Sequence, residues 1–269
     1  GVTTLTLADV GGTATLSADV DVSTLTVGST VANVAFTGNG SSVTNAFTPA
    51  NDGTFVFGTS GGTQTYNAGL TTTSVGSTVT LNGTIASSDD AIVLGAVTLG
   101  SATTVDTNST TTNRADITIA AVTGGSNTLT LTTENNVTGS DITASGAISG
   151  VTTLTLASVG GTATLSADVD VTTLSVDNTV ANVAFTGNGS SVTNAVSFAN
   201  DGTLTLGTSG GTQTYNGGLT TTSVGGTVTL NGSIVTSNDA VVLGAVTLVV
   251  RLLLIRILVT PRVTSQLVR

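Results

Sequence analysis

The sequence predicts an all-β fold, a β-solenoid of stacked coils, and three observations predict it. The first is duplication: residues 150–248 repeat residues 1–99 at a constant offset of 149, with 81 of 99 positions identical. Self-similarity on this scale reads as a repeat architecture. The second is how the copies differ. Phe55-Val56-Phe57 returns as Leu204-Thr205-Leu206, so the outer pair stays apolar while the middle position turns polar. That alternation, one buried side and one wet side at a period of two, belongs to a strand. The swaps Ser23 to Thr172 and Thr26 to Ser175 keep a hydroxyl on the pleated surface. The third is texture: short Thr-rich runs, frequent Gly/Asn corners and only 3% aromatic residues. Tandem β-sandwiches are the alternative, but they rely on bulkier cores. A solenoid stacks small and medium apolar residues coil over coil.

Taken in order, the first copy yields strand candidates at 3–7, 13–16, 24–27, 34–36, 54–57, 63–66, 72–75, 78–81, 92–94 and 96–99. They lie about ten residues apart, and turn chemistry bounds most of them, such as Gly11-Gly12, Asn51-Asp52-Gly53 and Asn82-Gly83. Gly and Asn tolerate the positive φ that tight corners require. Residues 100–149 continue the pattern at 116–119, 127–131 and 142–145, with Glu134 the single Glu of the chain. No helical period exceeds one turn. The organisation is therefore 1–149, a first repeat unit with connecting coils, then 150–248, its second copy. At about 4.8 Å per coil, the regular part makes a rod of roughly 40–60 Å.

Residues 249–269 break the pattern and hold four of the five Arg. The apolar run is too short and too charged to span a bilayer. A one-base shift accounts for its start. If 100–108 is encoded GGT AGT GCG ACT ACT GTT GAT ACG AAT, reading one base later gives Val-Val-Arg-Leu-Leu-Leu-Ile-Arg-Ile, the sequence of 249–257. Further on, the match needs substitutions between the copies. The expectation is an out-of-frame tail outside the evolved fold, in a polypeptide that extends beyond this segment on both sides. The encoding DNA decides it, because a one-base correction must restore the repeat.

Composition excludes several chemistries. There is no Cys, His, Lys, Met or Trp, hence no thiolate site, no imidazole base and no Schiff-base lysine. Charged residues are 7% against roughly a quarter in ordinary domains. The net charge of −10 repels phosphate backbones, so no nucleic-acid partner is expected. An apolar content of 39% and a mean hydropathy of +0.43 argue against a solvated disordered tail. Gly1 opens the chain without an initiator Met or a signal sequence, which reads as a fragment.

The candidate motifs favour structural readings. Gly58-Thr59-Ser60-Gly61-Gly62, repeated at 207–211, matches G-x-S-x-G, but that elbow needs a strand-to-helix turn and a His. Asp19-Val20-Asp21 and Asp168-Val169-Asp170 place carboxylate pairs on one strand side, and Asp89-Asp90 sit near a turn. Such pairs suit Ca²⁺ or acid/base work, yet Asp89 returns as Asn238, and solvated surface carboxylates are the expectation. Sequons at Asn39, Asn82, Asn108, Asn136, Asn188 and Asn231 are what this composition produces by chance. Tyr66 and Tyr215 read as core caps beside a turn rather than ligand-stacking rings. No residue is assigned as catalytic, cofactor-binding or metal-ligating, and no cofactor is expected.

Gly62-Thr63-Gln64-Thr65-Tyr66-Asn67, followed by 78–81 and Gly95-Ala96-Val97-Thr98-Leu99, resembles the strand repeats of large bacterial surface proteins. These are the filamentous-haemagglutinin-like and autotransporter-passenger adhesins. The resemblance covers 1–248 at the level of texture. It implies a right-handed parallel β-helix exported across a Gram-negative envelope and displayed or released as a fibre. The expected role is a non-enzymatic stalk of a secreted or cell-surface adhesin. The alternatives are a repeat face that binds host glycan or protein, and a β-helix polysaccharide-degrading enzyme.

Overall fold

A computed structural model describes residues 1–108, 115–133 and 139–248, together with the backbone of 253–257. The described residues are all-β, without a helix, and wind into a parallel β-solenoid of about 11 turns. At about 4.8 Å per coil the column is roughly 50 Å long. Each coil contributes to three parallel ladders. Ladder A starts with Thr4–Leu7 paired to Thr24–Val27. Ladder B starts with Thr13–Leu16 paired to Asn33–Phe36. Ladder C starts with Asp21–Val22 paired to Ser42–Val43. Coil length along ladder B varies from 18 residues (Val79 to Val97) to 26 (Val122 to Ile148).

The alternation read from the copies is the packing rule. Phe55 and Phe57 point inward and Val56 outward, and Leu204, Thr205 and Leu206 do the same. Inward residues stack on their register partners, as in Phe36–Phe57–Leu81–Leu99 up ladder B. Burying one such side chain between two coils is worth roughly 1.5–3 kcal/mol, so the apolar axis is the main stabilising feature of the column. Aromatic rings cluster in the first copy: Phe47 stacks on Tyr66 at 5.7 Å, and Phe55 on Phe57 at 4.0 Å. The second copy has Val196, Leu204 and Leu206 at the positions of Phe47, Phe55 and Phe57, and gains buried Phe198 at the position of Pro49.

The structure departs from the expected strands in three places. Residues 72–75 form a turn closed by the Val75 N–H donating to the Thr72 carbonyl at 3.2 Å. There the Thr72 hydroxyl accepts from the Gly95 N–H of the next coil, so a sequence with strand propensity is spent on a corner. The separate candidates 92–94 and 96–99 merge into one strand, Ile92–Asp106, and 78–81 grows into Val79–Ser87. Both long strands cross from one ladder to the next, with a bulge between Leu81 and Gly83. Gly83 sits at φ 65°, and an added Cβ would lie 2.4 Å from two backbone carbonyl oxygens of the preceding coil. Only glycine fits that corner.

The two copies do not superimpose side on side. Thr13–Leu16 lies on ladder B, but its duplicate Thr162–Leu165 follows Ile142–Ala144 on ladder A. Thr24–Val27 lies on ladder A and its duplicate, within Val169–Val176, on ladder C. Ser42–Val43 lies on C and Ser191–Val192 on B. The 149-residue offset thus spans six coils and two further ladders, so each motif of the first copy reappears on a different side of the column.

Leu253–Ile257 adds a parallel rung to Ser233–Ser237, with Ser233 opposite Leu253 as Thr84 is opposite Thr104 in the first copy. Apolar β-prone residues extend such an edge through backbone bonds whatever their origin. The rest of 249–269 lies outside the described residues, as do Glu134 and the sequon at Asn136.

Candidate functional site

The carboxylates fall at corners. Asp21 opens its strand, and its Oδ1 accepts from the Ser42 N–H of the next coil at 3.1 Å. Asp19 precedes that strand and lies against the turn at Gly40, where an added Cβ would come within 3.0 Å of its Oδ2. Asp168 likewise precedes Val169–Val176 and abuts Gly189. In each pair one carboxylate lies just before the strand and the other within it, on either side of an inward Val20 or Val169, and Asp19 and Asp21 line one shallow pocket.

Asp89 and Asn238 explain each other. Both adopt positive φ, 66° and 68°, where Asn and Asp are the preferred side chains after Gly. The flanking residues brace the corner in both copies: Ser87 Oγ donates to the Asp90 carbonyl, and Thr236 Oγ1 to the Asp239 carbonyl. The exchange preserves turn geometry and not charge. Asp89→Asn is accordingly expected to shift stability by no more than about 0.5 kcal/mol, measured as the denaturation midpoint against the unsubstituted chain.

The G-x-S-x-G match is also a corner. Ser60 is exposed in a turn closed by the Gly62 N–H donating to the Thr59 carbonyl at 2.9 Å, and the chain then enters strand Thr63–Tyr66. No helix follows, so the hydrolase elbow is not built. Three of the sequon asparagines knit coils together through their side chains. Asn39 and Asn188 Oδ1 accept from the Thr63 and Thr212 N–H groups at 3.0 Å, and Asn82 Nδ2 donates to the Phe57 carbonyl at 3.1 Å.

Tyr66 and Tyr215 are fully buried. Each hydroxyl donates to a buried glutamine: Tyr66 to Gln64 Oε1 at 2.9 Å, Tyr215 to Gln213 Oε1 at 3.0 Å. Gln64 Nε2 in turn donates to the Phe36 and Gly38 carbonyls, and Gln213 Nε2 to those of Phe185 and Gly187. This polar core element escaped the sequence reading. Its signal was the parity of Thr-Gln-Thr-Tyr, which puts Gln on the same side as an inward Tyr. Asn51 and Asn200 are buried as well. Each Nδ2 spans two backbone carbonyls of its own turn, while each Oδ1 has no partner among the described atoms.

One surface feature recurs in both copies. A groove of about 360 Å³ is lined by Thr152, Asp170, Thr172, Ser191 and Thr193, with Ser126 beside them. The 149-residue counterparts Thr3, Asp21, Ser23, Ser42 and Thr44 line a groove of about 540 Å³ at the first coil. Each groove offers one carboxylate and several hydroxyls, a hydrogen-bonding surface suited to a polyol, with no aromatic platform. Part of that capacity is already used, since Thr152 Oγ1 donates to the Asn127 carbonyl at 3.1 Å. No group of three or more metal-ligating side chains converges among the described residues.

No protein-family model, curated protein or solved structure matches this chain.

Proposed function

We propose that this chain is a non-catalytic stalk segment of a large secreted or cell-surface bacterial adhesin. The observation that supports this reading most is the column of stacked parallel coils, whose two copies turn the same motifs towards different sides. A flat target in contact with the column meets one copy of a motif and not both. That suits a spacer better than a multivalent face. Stacked ladders with an apolar axis resist bending, and sparse charge leaves the wall a Thr/Ser coat. The test is single-molecule pulling on the folded chain. A stalk gives stepwise coil-by-coil extension at sustained force, and unravelling without measurable resistance would overturn the reading.

A second reading, direct binding of host glycan or protein, is favoured by the recurrence of the groove at Asp21 and Asp170. A glycan array separates the two. Saturable binding lost in the Asp21→Ala/Asp170→Ala double variant assigns binding to the groove, and an array without hits leaves the stalk. The enzymatic reading needs a general acid and base in one cleft, and neither groove supplies more than a single carboxylate.

A further inference from the structure

We propose that Asn216-Gly217 is a self-modification site, where Asn216 converts to aspartate and isoaspartate with help from the Ser237 hydroxyl, and that the fold suppresses the same reaction at the other Asn-Gly pairs. The inference is independent of the stalk reading. The chain has five such pairs, beginning at Asn39, Asn82, Asn188, Asn216 and Asn231. At an Asn-Gly pair the glycine nitrogen can attack the side-chain Cγ, because no Cβ crowds its approach. The N–Cγ bond forms as the N–H proton passes to water, and the Cγ–Nδ2 bond breaks to release ammonia. Water then opens the succinimide ring. Opening at Cγ gives aspartate, and opening at the backbone carbonyl gives isoaspartate.

Ring closure needs a free glycine nitrogen and a side chain that can turn towards it. The coils withhold these at four of the pairs. Gly40 N–H donates to the Thr63 carbonyl at 2.8 Å while Asn39 Oδ1 accepts from Thr63 N–H at 3.0 Å, so one residue of the next coil holds both reacting groups. Thr212 holds Asn188 and Gly189 in the same way. Gly83 N–H donates to Ser101 Oγ at 3.3 Å, and Asn82 Nδ2 to the Phe57 carbonyl at 3.1 Å. Gly232, at φ 72°, is wedged against the preceding coil, where an added Cβ would lie 2.4 Å from the Gly211 carbonyl oxygen.

The fifth pair is open. Asn216 and Gly217 are the central residues of a partly exposed turn closed by Gly218 N–H donating to the Tyr215 carbonyl at 3.0 Å. Gly217 N–H has no acceptor among the described residues, and Gly217 alone of the five glycines lacks a positive φ. Ser237 Oγ donates to Asn216 Oδ1 at 2.9 Å. That bond polarises the carbonyl under attack and stabilises the oxyanion that forms on it. Duplication supplies the control. Asn67 receives the same donation from Ser88 Oγ at 3.1 Å, but Ala68 follows it, and its Nδ2 is tied to Ser42 Oγ at 3.3 Å.

The test is mass-spectrometric peptide mapping of the full folded chain after incubation in mildly alkaline heavy-oxygen water, which labels each new acid. Asn216 is expected to convert about tenfold faster than Asn67 and than each of the other four Asn-Gly sites, which must first give up hydrogen bonds or a fixed corner. In urea the five pairs should convert at similar rates. Ala68→Gly should raise conversion at Asn67 severalfold. It removes a methyl from an exposed turn, whereas a Cβ added at Gly217 would lie 2.3 Å from the Ala195 nitrogen. Ser237→Ala should slow Asn216 severalfold, and Ser237→Thr, which keeps the hydroxyl, should restore the rate. Equal rates at the five pairs of the folded chain overturn the proposal. So do an Asn216 that stays intact or is indifferent to Ser237→Ala, a selectivity that survives urea, or an Asn67 left inert by Ala68→Gly.

Discussion

Leu156→Ala is expected to destabilise the column by about 2–5 kcal/mol, and Leu7→Ala, the same substitution at the duplicate position, by less than half of that. Leu156 is fully enclosed, stacked between Leu131 below and Val176 above. Truncation there leaves a cavity with two coils on either side of it, and neither can collapse without breaking its ladder. Leu7 has Val27 on one side only and is already partly exposed, so less apolar area leaves water when the coil folds and no closed cavity forms. In a quasi-one-dimensional stack, stability is a sum of coil terms and nearest-neighbour interfaces. A weakened end coil frays alone, whereas a weakened middle coil uncouples the halves. Native-state hydrogen exchange distinguishes the two. Leu156→Ala should lower protection in Thr128–Thr132 and Val169–Val176 together, and Leu7→Ala only near Thr24–Val27. Equal global losses from both substitutions would contradict a stack of locally coupled coils.

The contrast shows what was legible in the sequence. The inward or outward side of each strand could be read, because Phe55-Val56-Phe57 and Leu204-Thr205-Leu206 solve the same alternation with different residues. Corners could be read where Gly or Asn marks them, as at Gly83. Residues 72–75 could not, because Thr-Thr-Ser-Val has strand propensity and becomes a corner only through a bond to Gly95 in the following coil. The side of the column on which each copy lies was also hidden. It depends on accumulated coil lengths that range from 18 to 26 residues, and sequence identity between the copies is indifferent to that sum. The strand starts were less legible than the alternation, since Asp19 and Asp168 lie just before the strands that hold Asp21 and Asp170. Buried Gln64 was missed because its partners, the Phe36 and Gly38 carbonyls, lie a full coil away.

That glutamine–tyrosine element gives the fold a sharp alkaline limit. Burial raises the hydroxyls of both Tyr66 and Tyr215 above the ordinary value of 10.0, so the folded state holds them neutral. In the unfolded chain they ionise near pH 10. Above that pH the unfolded state has released protons that the folded state keeps, so stability falls as pH rises. Below about pH 10 the contribution is fully present, and above it the loss continues up to the folded-state values. The composition isolates the effect: with no Lys, Cys or His, few other groups in this chain titrate across the window. Far-ultraviolet circular dichroism and tyrosinate absorbance, followed together against pH, should stay flat to about pH 10 and then change as one cooperative transition. The Tyr66→Phe/Tyr215→Phe variant should be weaker at neutral pH, because Gln64 and Gln213 Oε1 lose their donors. Its stability should nevertheless decline less steeply above pH 10. Tyrosinate forming gradually near pH 10 in a chain that keeps its β signal would show that the rings are wet, contrary to the packing described.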